Sequence, residues 1–417
     1  MTTFSPLFGT ALARSGGGLY SNCLSSNQEI MLAVSPNIEL FRHFRNDVFQ
    51  HNGDVDILRE IPAGSPLQDF YGNDVRVKAL DVLMNASLDI SFDMNNWDDF
   101  LNNSITRGRL DSEDLTKYYG CLKASNYRDI FLNLLNIIAT ARHSLKRKWV
   151  GFHEAWILDA YPALARAFPD AKFIIMFRDP RATVNSMQGI EAIDPLQVVH
   201  VLSYVRHWRK YVALALRYRN DPLFKGRLHI TSHDLVLLNP ENTVKAICAD
   251  LGVDFSNNML NTDGYLDFST GETWVGNSSF ENETSGIKAS RARRWRDNIE
   301  PTVLDTIEYL CGPDLELAGY KPVTKFSNPN ENISNSIFEY LLNEHDLYSN
   351  WRSDMNDPLA NIGMEAVRRS LLANPFFCQN KSLIRKLFLF TETYEYFRSK
   401  DTTPLLSDLH VYNKYIV

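Results

Sequence analysis

The chain has 417 residues, 44% of them hydrophobic and 22% charged, with a formal net charge of −7. That length and apolar share suffice for one large domain, or for a domain with an appendage. The acidic balance, with no block of like charges, argues against a general nucleic-acid binder, so no nucleic-acid partner is expected.

The first residues read as strand, glycine turn and helix. Residues 7–12 form a short apolar run, Arg14-Ser15-Gly16-Gly17-Gly18 follows, and Leu19 and Cys23 then share one helical face. Residues 30–34 predict a second strand, after which Ile38, Phe41, Phe44 and Val48 recur at helical spacing. Residues 52–128 mix apolar and polar side chains without a clean period. They are expected to form an irregular or short-helical insertion, a common place for acceptor recognition. An amphipathic helix is predicted over 129–147, a strand over 148–153 and a helix over 156–168. Residues 172–177 are continuously apolar, as in a parallel strand covered on both faces. Arg178-Asp179-Pro180 ends that strand, and a helix starts at Arg181. Residues 196–219 predict a long helix whose Arg206, Arg209 and Arg217 are expected on a solvated face. A strand over 228–231 and a helix over 240–251, with proline in its first turn, complete the pattern. Strands alternating with helices predict an α/β fold: three layers around a central parallel sheet. Residues 327–336, rich in Asn and Ser, read as a linker, and 337–417 as helices whose aromatic residues belong to a core. The expected division is 1–322, carrying the insertion, and a helical C-terminal extension over 323–417.

Other signals narrow the setting. Cys23, Cys121, Cys248, Cys311 and Cys378 form no CxxC pair, which argues against zinc and against a dithiol site. A sparse, odd set fits reduced thiols, so a cytoplasmic location is expected. The N-terminus lacks the flank and core of a signal peptide, and no run of about 18 apolar residues suggests a membrane span.

Two segments carry chemistry. In the first, a glycine-rich turn between strand and helix offers backbone amides and the positive end of a helix to a phosphate or sulfate, and Arg14 adds charge. The Gly-Lys-Ser/Thr ending of a kinase loop is absent, and Ser21 stands where a dinucleotide loop needs its third glycine. In the second, Arg178 follows a buried strand, where open α/β sheets bind ligands. Ser186, eight residues on, can face the same anion.

Together these segments resemble the PAPS-dependent sulfotransferases, enzymes with a P-loop-like fold that use 3'-phosphoadenosine 5'-phosphosulfate. Arg14-Ser15-Gly16-Gly17-Gly18-Leu19 is similar to their 5'-phosphosulfate loop, and Arg178-Asp179-Pro180 with Ser186 to their 3'-phosphate motif. Phe168-Pro169-Asp170-Ala171-Lys172-Phe173 resembles the usual lead-in, and His233-Asp234-Leu235 with Pro240-Glu241 a later segment. The run from Trp274 to Phe280, with Ser278 and Ser279, and the run Arg294-Trp295-Arg296 resemble the region that closes over the donor. Gly319-Tyr320 resembles the usual end of the domain, so the likeness covers about residues 7–322. Gly17 and Gly18 replace two threonines whose hydroxyls help hold the 5'-phosphate in the family. The late Arg-Lys-Gly motif of the phenol-sulfating branch is missing, with Lys288, Arg293 and Arg294 as substitutes.

The resemblance implies PAPS as donor and PAP as product. The leaving group is already a phosphate, so no catalytic metal is expected. Arg14 and the loop amides are assigned to the 5' oxygens. Three residues compete as general base. The resemblance to the phenol-sulfating branch points to His153, and that to protein-tyrosine and carbohydrate branches points loosely to Glu39, which can pair with His43 four residues on. A gap-free count for the latter branches lands on Ser35, and Glu154 is the third option. The expected acceptor is a hydroxyl or amine of a small molecule of specialised metabolism, handled by a monomer or homodimer. A carbohydrate sulfotransferase, a P-loop nucleotide kinase and a non-catalytic nucleotide-binding protein are the competing readings.

Overall fold

The computed structural model describes residues 4–65, 67–191, 200–276, 286–343, 357–376, 378–399 and 403–416. Ser278 and Ser279 lie outside the described residues.

Five strands, β1 (Ser5–Ala11), β2 (Ile30–Val34), β3 (Trp149–Ala155), β4 (Lys172–Phe177) and β5 (Leu228–Ser232), form one sheet in the order β2-β3-β1-β4-β5. Every pairing is parallel, with Thr10 opposite both Glu154 and Ile175, and Val34 opposite His153. The chain leaves β1 toward β2 and later crosses to β4 and β5 on the other side. The C-terminal ends of β1 and β4 therefore flank a topological switch point, where open sheets of this kind bind ligands. The helices between strands are α1 (Gly17–Ser25), α2 (Ile38–Asn52), four short helices of the insertion, α3 (Val55–Glu60), α4 (Asp74–Asn85), α5 (Trp97–Gly108) and α6 (Glu113–Thr116), then α7 (Tyr127–Ala141), α8 (Tyr161–Ala167), α9 (Pro180–Glu191) and α10 (Val201–Asn220). After β5 come α11 (His233–Leu238), α12 (Pro240–Leu251), α13 (Trp295–Asn298), α14 (Pro301–Cys311) and α15 (Asp314–Ala318). The last five are α16 (Asn335–Asn343), α17 (Pro358–Ala373), α18 (Lys381–Phe388), α19 (Thr391–Arg398) and α20 (His410–Ile416). A helix-flanked parallel sheet with a helical C-terminal region is the expected class of fold. Among the described residues no helix is long and apolar enough to cross a membrane.

Two compact units share the chain: residues 1–58, 81–177 and 221–288 form one, and 59–80, 178–220 and 289–417 the other. The first holds the whole sheet. Its centre is aromatic, with the Phe8 ring 5.2, 5.8 and 5.6 Å from those of Phe152, Phe168 and Phe173. Large rings pointing inward from neighbouring strands explain why these strands read as unbroken apolar runs.

The second unit is organised around buried arginines. Arg206 and Arg209 of α10 do not form the solvated face expected from the sequence. Both are buried and reach Glu365 of α17 at 2.9 and 2.6 Å, and Arg206 also donates to Asn361. Burial alone would raise the Glu365 carboxyl, but Arg209 and then Arg206 hold it far below the usual range. The sequence expectation failed because the partner lies 156 residues away. Arg217 alone of the three is partly solvated, paired with Glu392. Beside them Leu372, Ile384, Leu387, Phe388 and Tyr394 close an apolar cluster, the core role expected of the C-terminal aromatic residues.

Glu365→Ala leaves two guanidinium groups buried without their carboxylate. It is expected to cost about 3–5 kcal/mol, read as a lower urea midpoint at unchanged slope. A loss under about 1 kcal/mol, the range of exposed pairs, would mean that the arginines find water instead.

Candidate active site

At the end of β1 the chain turns through Leu12 to Gly16 and enters α1. Arg14 has φ 62° and Gly16 φ 82°, both left-handed, and Ser15 N–H closes the turn on the Leu12 carbonyl at 3.2 Å. Glycine adopts that conformation at little cost, whereas Arg14 holds it only because the turn imposes it. No side chain caps α1, and its first turn holds no carboxylate. The amides that a helix leaves unpaired at its N-terminus are therefore available to an anion.

The glycines here are shaped by their neighbours. A methyl group placed on Gly17 would lie 2.4 Å from Nε2 of His153, and one on Gly16 2.1 Å from Nδ1 of His233. One on Gly18 would meet Trp274 at 3.4 Å. A threonine cannot occupy position 17 while His153 stands where it does. The sequence flagged the missing hydroxyls, and the structure shows that imidazole fills their space. His153 is 3% exposed, and burial lowers it to about 4, so it is neutral near pH 7.

The next residue of β3 faces a different environment. Glu154 is 2% exposed, its Oε2 accepts from Asn37 N–H at 3.1 Å and its Oε1 from Ala155 N–H at 3.2 Å. Burial raises this carboxyl to about 8, and the Asp111 charge adds to the effect. The hydrogen bonds from Asn37, Ala155 and the Ser35 side chain oppose it. Ser35 itself holds a left-handed φ of 39° and donates its N–H to the His153 carbonyl at 2.7 Å. It is the residue on which the gap-free count for the base landed. The carboxyl at this place comes from the adjacent strand instead.

Part of the insertion covers this end of the sheet. Ser112 Oγ donates to the Val34 carbonyl at 2.7 Å, Tyr119 Oη donates to the Pro36 carbonyl, and Arg142 grips Asp114 at 2.9 and 3.0 Å. Asp111 lies in the field of Arg14. None of these contacts has a sequence signal, since each joins residues about 28 to 83 positions apart. Glu39, at the start of α2, is held by Arg42 at 3.2 Å and Arg107 at 3.7 Å. His43 does not pair with it; its ring packs against Phe92 and Phe100.

The second unit carries the other predicted residues. Arg178 directly follows β4, and its carbonyl accepts from Trp208 Nε1 at 3.1 Å. Asp179 and Arg181 are withdrawn into a sealed network: Arg181 donates to Asp179 and to Glu308 at 2.6 Å each, and Tyr412 Oη donates to Asp179 at 2.5 Å. Ser186 is buried on α9. Arg294 is lowered by burial and then by the charge of Arg178, so the structure brings these two cations together. Two like charges in mutual range favour an anion between them. Arg293 lies over the Tyr415 ring, 5.0 Å from its centre, and Lys288 belongs to the other unit. Among the described residues no group of three or more His, Cys, Asp or Glu side chains could hold a metal.

A parallel α/β sheet whose first strand feeds a glycine loop and an uncapped helix defines a protein built to grip phosphate-like anions. Residues 6–257 match the model of the sulfotransferase family, and the chain belongs to that family. It is 22% identical over 231 residues to protein-tyrosine sulfotransferase 2 of Gallus gallus, a match covering 53% of this chain and 60% of the relative. Solved structures similar to it include the sulfotransferase domain from the Synechococcus PCC 7002 olefin synthase. That likeness has 17% identity and a TM-score of 0.39, over 72% of this chain and 90% of that one. Another is the sulfotransferase domain from the curacin biosynthetic pathway, with 15% identity and a TM-score of 0.39, over 72% and 92%.

The Glu154 carboxyl has a stability consequence. Its folded value, about 8, lies above the unfolded one, so the stability it supports is complete below about pH 4 and is lost as pH rises through 8. Glu154→Gln removes that loss: the variant is expected to unfold at a higher temperature than the parent at pH 9, and the gap to close at pH 5. A constant gap across that range would show an ordinary carboxyl.

Proposed function

We propose that this chain is an enzyme that moves a sulfuryl group from PAPS to a hydroxyl or amine of a small-molecule acceptor and releases PAP. The observation that carries the reading is the uncapped glycine loop at the end of β1, with a buried carboxyl of raised pKa in register beside it on β3. Residues 1–322 are assigned the transfer and 323–417 a supporting helical extension.

Arg14, Ser15, Gly16, Gly17, Gly18 and Leu19 are assigned to the 5'-phosphosulfate. Arg178, Ser186 and Arg294 are assigned to the 3'-phosphate, and Arg293 and Lys288 to the outer donor contacts. In the reaction the acceptor oxygen or nitrogen forms a bond to sulfur while the bond from sulfur to the bridging phosphate oxygen breaks. The acceptor proton passes to a base, and the phosphate of PAP leaves with the electron pair. Arg14 and the helix amides offset the charge that grows on the bridging oxygen. Glu154 is the base that we favour. A carboxylate with a value near 8 holds a proton far better than an ordinary one, whereas burial makes His153 a weak acceptor of protons. Glu39 is already committed to two arginines. The relative in Gallus gallus is named for tyrosine, so a tyrosine-bearing peptide belongs in the acceptor panel beside phenols, amines and sugars.

Calorimetry with PAP is expected to show binding, and mass spectrometry with PAPS and the acceptor panel a product heavier by one sulfuryl group. Absence of heat with both PAP and PAPS would sink the reading. Glu154→Gln is expected to lower kcat by roughly 10²–10⁴ with PAP affinity nearly unchanged, and the parent rate to rise with pH toward 8. An undiminished rate in that variant would return the base to His153 or Glu39. Arg178→Ala is expected to weaken PAP binding by about 10-fold or more.

A further inference from the structure

The imidazole of His153 sits in a slot cut by two glycines. A methyl group on Gly9 of β1 would lie 3.1 Å from its Nδ1, and one on Gly17 of α1 2.4 Å from its Nε2. The Tyr20 ring closes the side, 5.8 Å between centres at 65°. Inside the slot, Nδ1 has no hydrogen-bond partner among the described residues. A buried polar ring without a protein partner calls for a ligand or a water. The only opening that Gly17 provides is toward the first turn of α1, where the uncapped amides lie.

We propose that Nε2–H of His153 donates a hydrogen bond to the 5'-phosphate of the nucleotide through the gap at Gly17. The imidazole thereby replaces the side-chain hydroxyl that the resembling family carries in this loop. The role rests on the PAPS reading and goes beyond it by making His153 a donor-binding residue rather than the base. Neutral imidazole suits it: one nitrogen carries hydrogen and faces the anion, and the other keeps its lone pair against β1. The arrangement also makes residues 9, 17 and 153 one unit of sequence. A larger residue at either glycine displaces the ring, and loss of the ring leaves the helix terminus short of a donor.

Calorimetric titration of PAP into four proteins tests this. His153→Ala is expected to weaken binding by about 10-fold or more. His153→Gln, whose amide nitrogen reaches the Nε2 position, is expected to stay within about 3-fold of the parent. Gly17→Thr is expected to abolish binding, and Gly17→Thr with His153→Ala to recover most of it, because the hydroxyl then has both space and target. Parent-like affinity in either His153→Ala or Gly17→Thr overturns the proposal. If His153→Ala does not fold, as read by circular dichroism, His153→Asn takes its place. Its amide reaches only the Nδ1 position, and equal affinity of the Asn and Gln variants overturns the proposal as well. Failure of the parent itself to bind PAP would instead strike the PAPS reading.

Discussion

Two consecutive side chains of β3, an imidazole and a carboxyl, are buried on opposite sides of the strand, and the architecture of the loop end of the sheet follows from them. Successive side chains of a strand point to opposite faces. His153 is therefore turned into the slot at Gly9 and Gly17, while Glu154 meets the backbone of Asn37 and Ala155. Each ionisable group is kept in its neutral form by burial, the histidine by a lowered value and the glutamate by a raised one. The loop glycines, the left-handed turn at Ser35 and the covering contacts from Ser112 and Tyr119 all accommodate that pair.

The second unit shows how one residue type serves two ends. Arg181, Arg206 and Arg209 are sealed against Asp179, Glu308 and Glu365, and Arg368 against Asp314. Breaking any such pair strands a charge in a low dielectric, so these arginines fix the packing of α9, α10 and α14 to α17. Arg178 and Arg294 differ in that their mutual repulsion is part of their environment. That unrelieved repulsion is what suits them to a phosphate, and the sealed arginines hold the turn that presents Arg178.

The sheet was legible in the chain because parallel strands buried on both faces leave continuous apolar runs, and all five predicted strands are present within about two residues of their expected ends. The insertion was legible only as the absence of a period, since its helices are short and their apolar residues face several neighbours at once. Arg206 and Arg209 were misread for a related reason. A charged helix face looks solvated until the carboxylate that covers it is found, and Glu365 lies far along the chain. At the site, the glycine loop and Arg178 announced themselves through local spacing. Glu154 did not stand out from His153 and Glu39, because a carboxyl's role is set by what surrounds it.

Sequence alone determined the α/β class, the anion-gripping loop after β1 and the arginine after β4, because each depends on neighbours within about ten residues. It also recorded that Gly17 and Gly18 stand where hydroxyls were expected. Only the tertiary structure decided what that record means: Gly17 is small because His153 fills the space, and Glu154 holds its proton because strands and insertion remove it from water. Burial and contact between distant residues set those properties, and neither is written in local spacing.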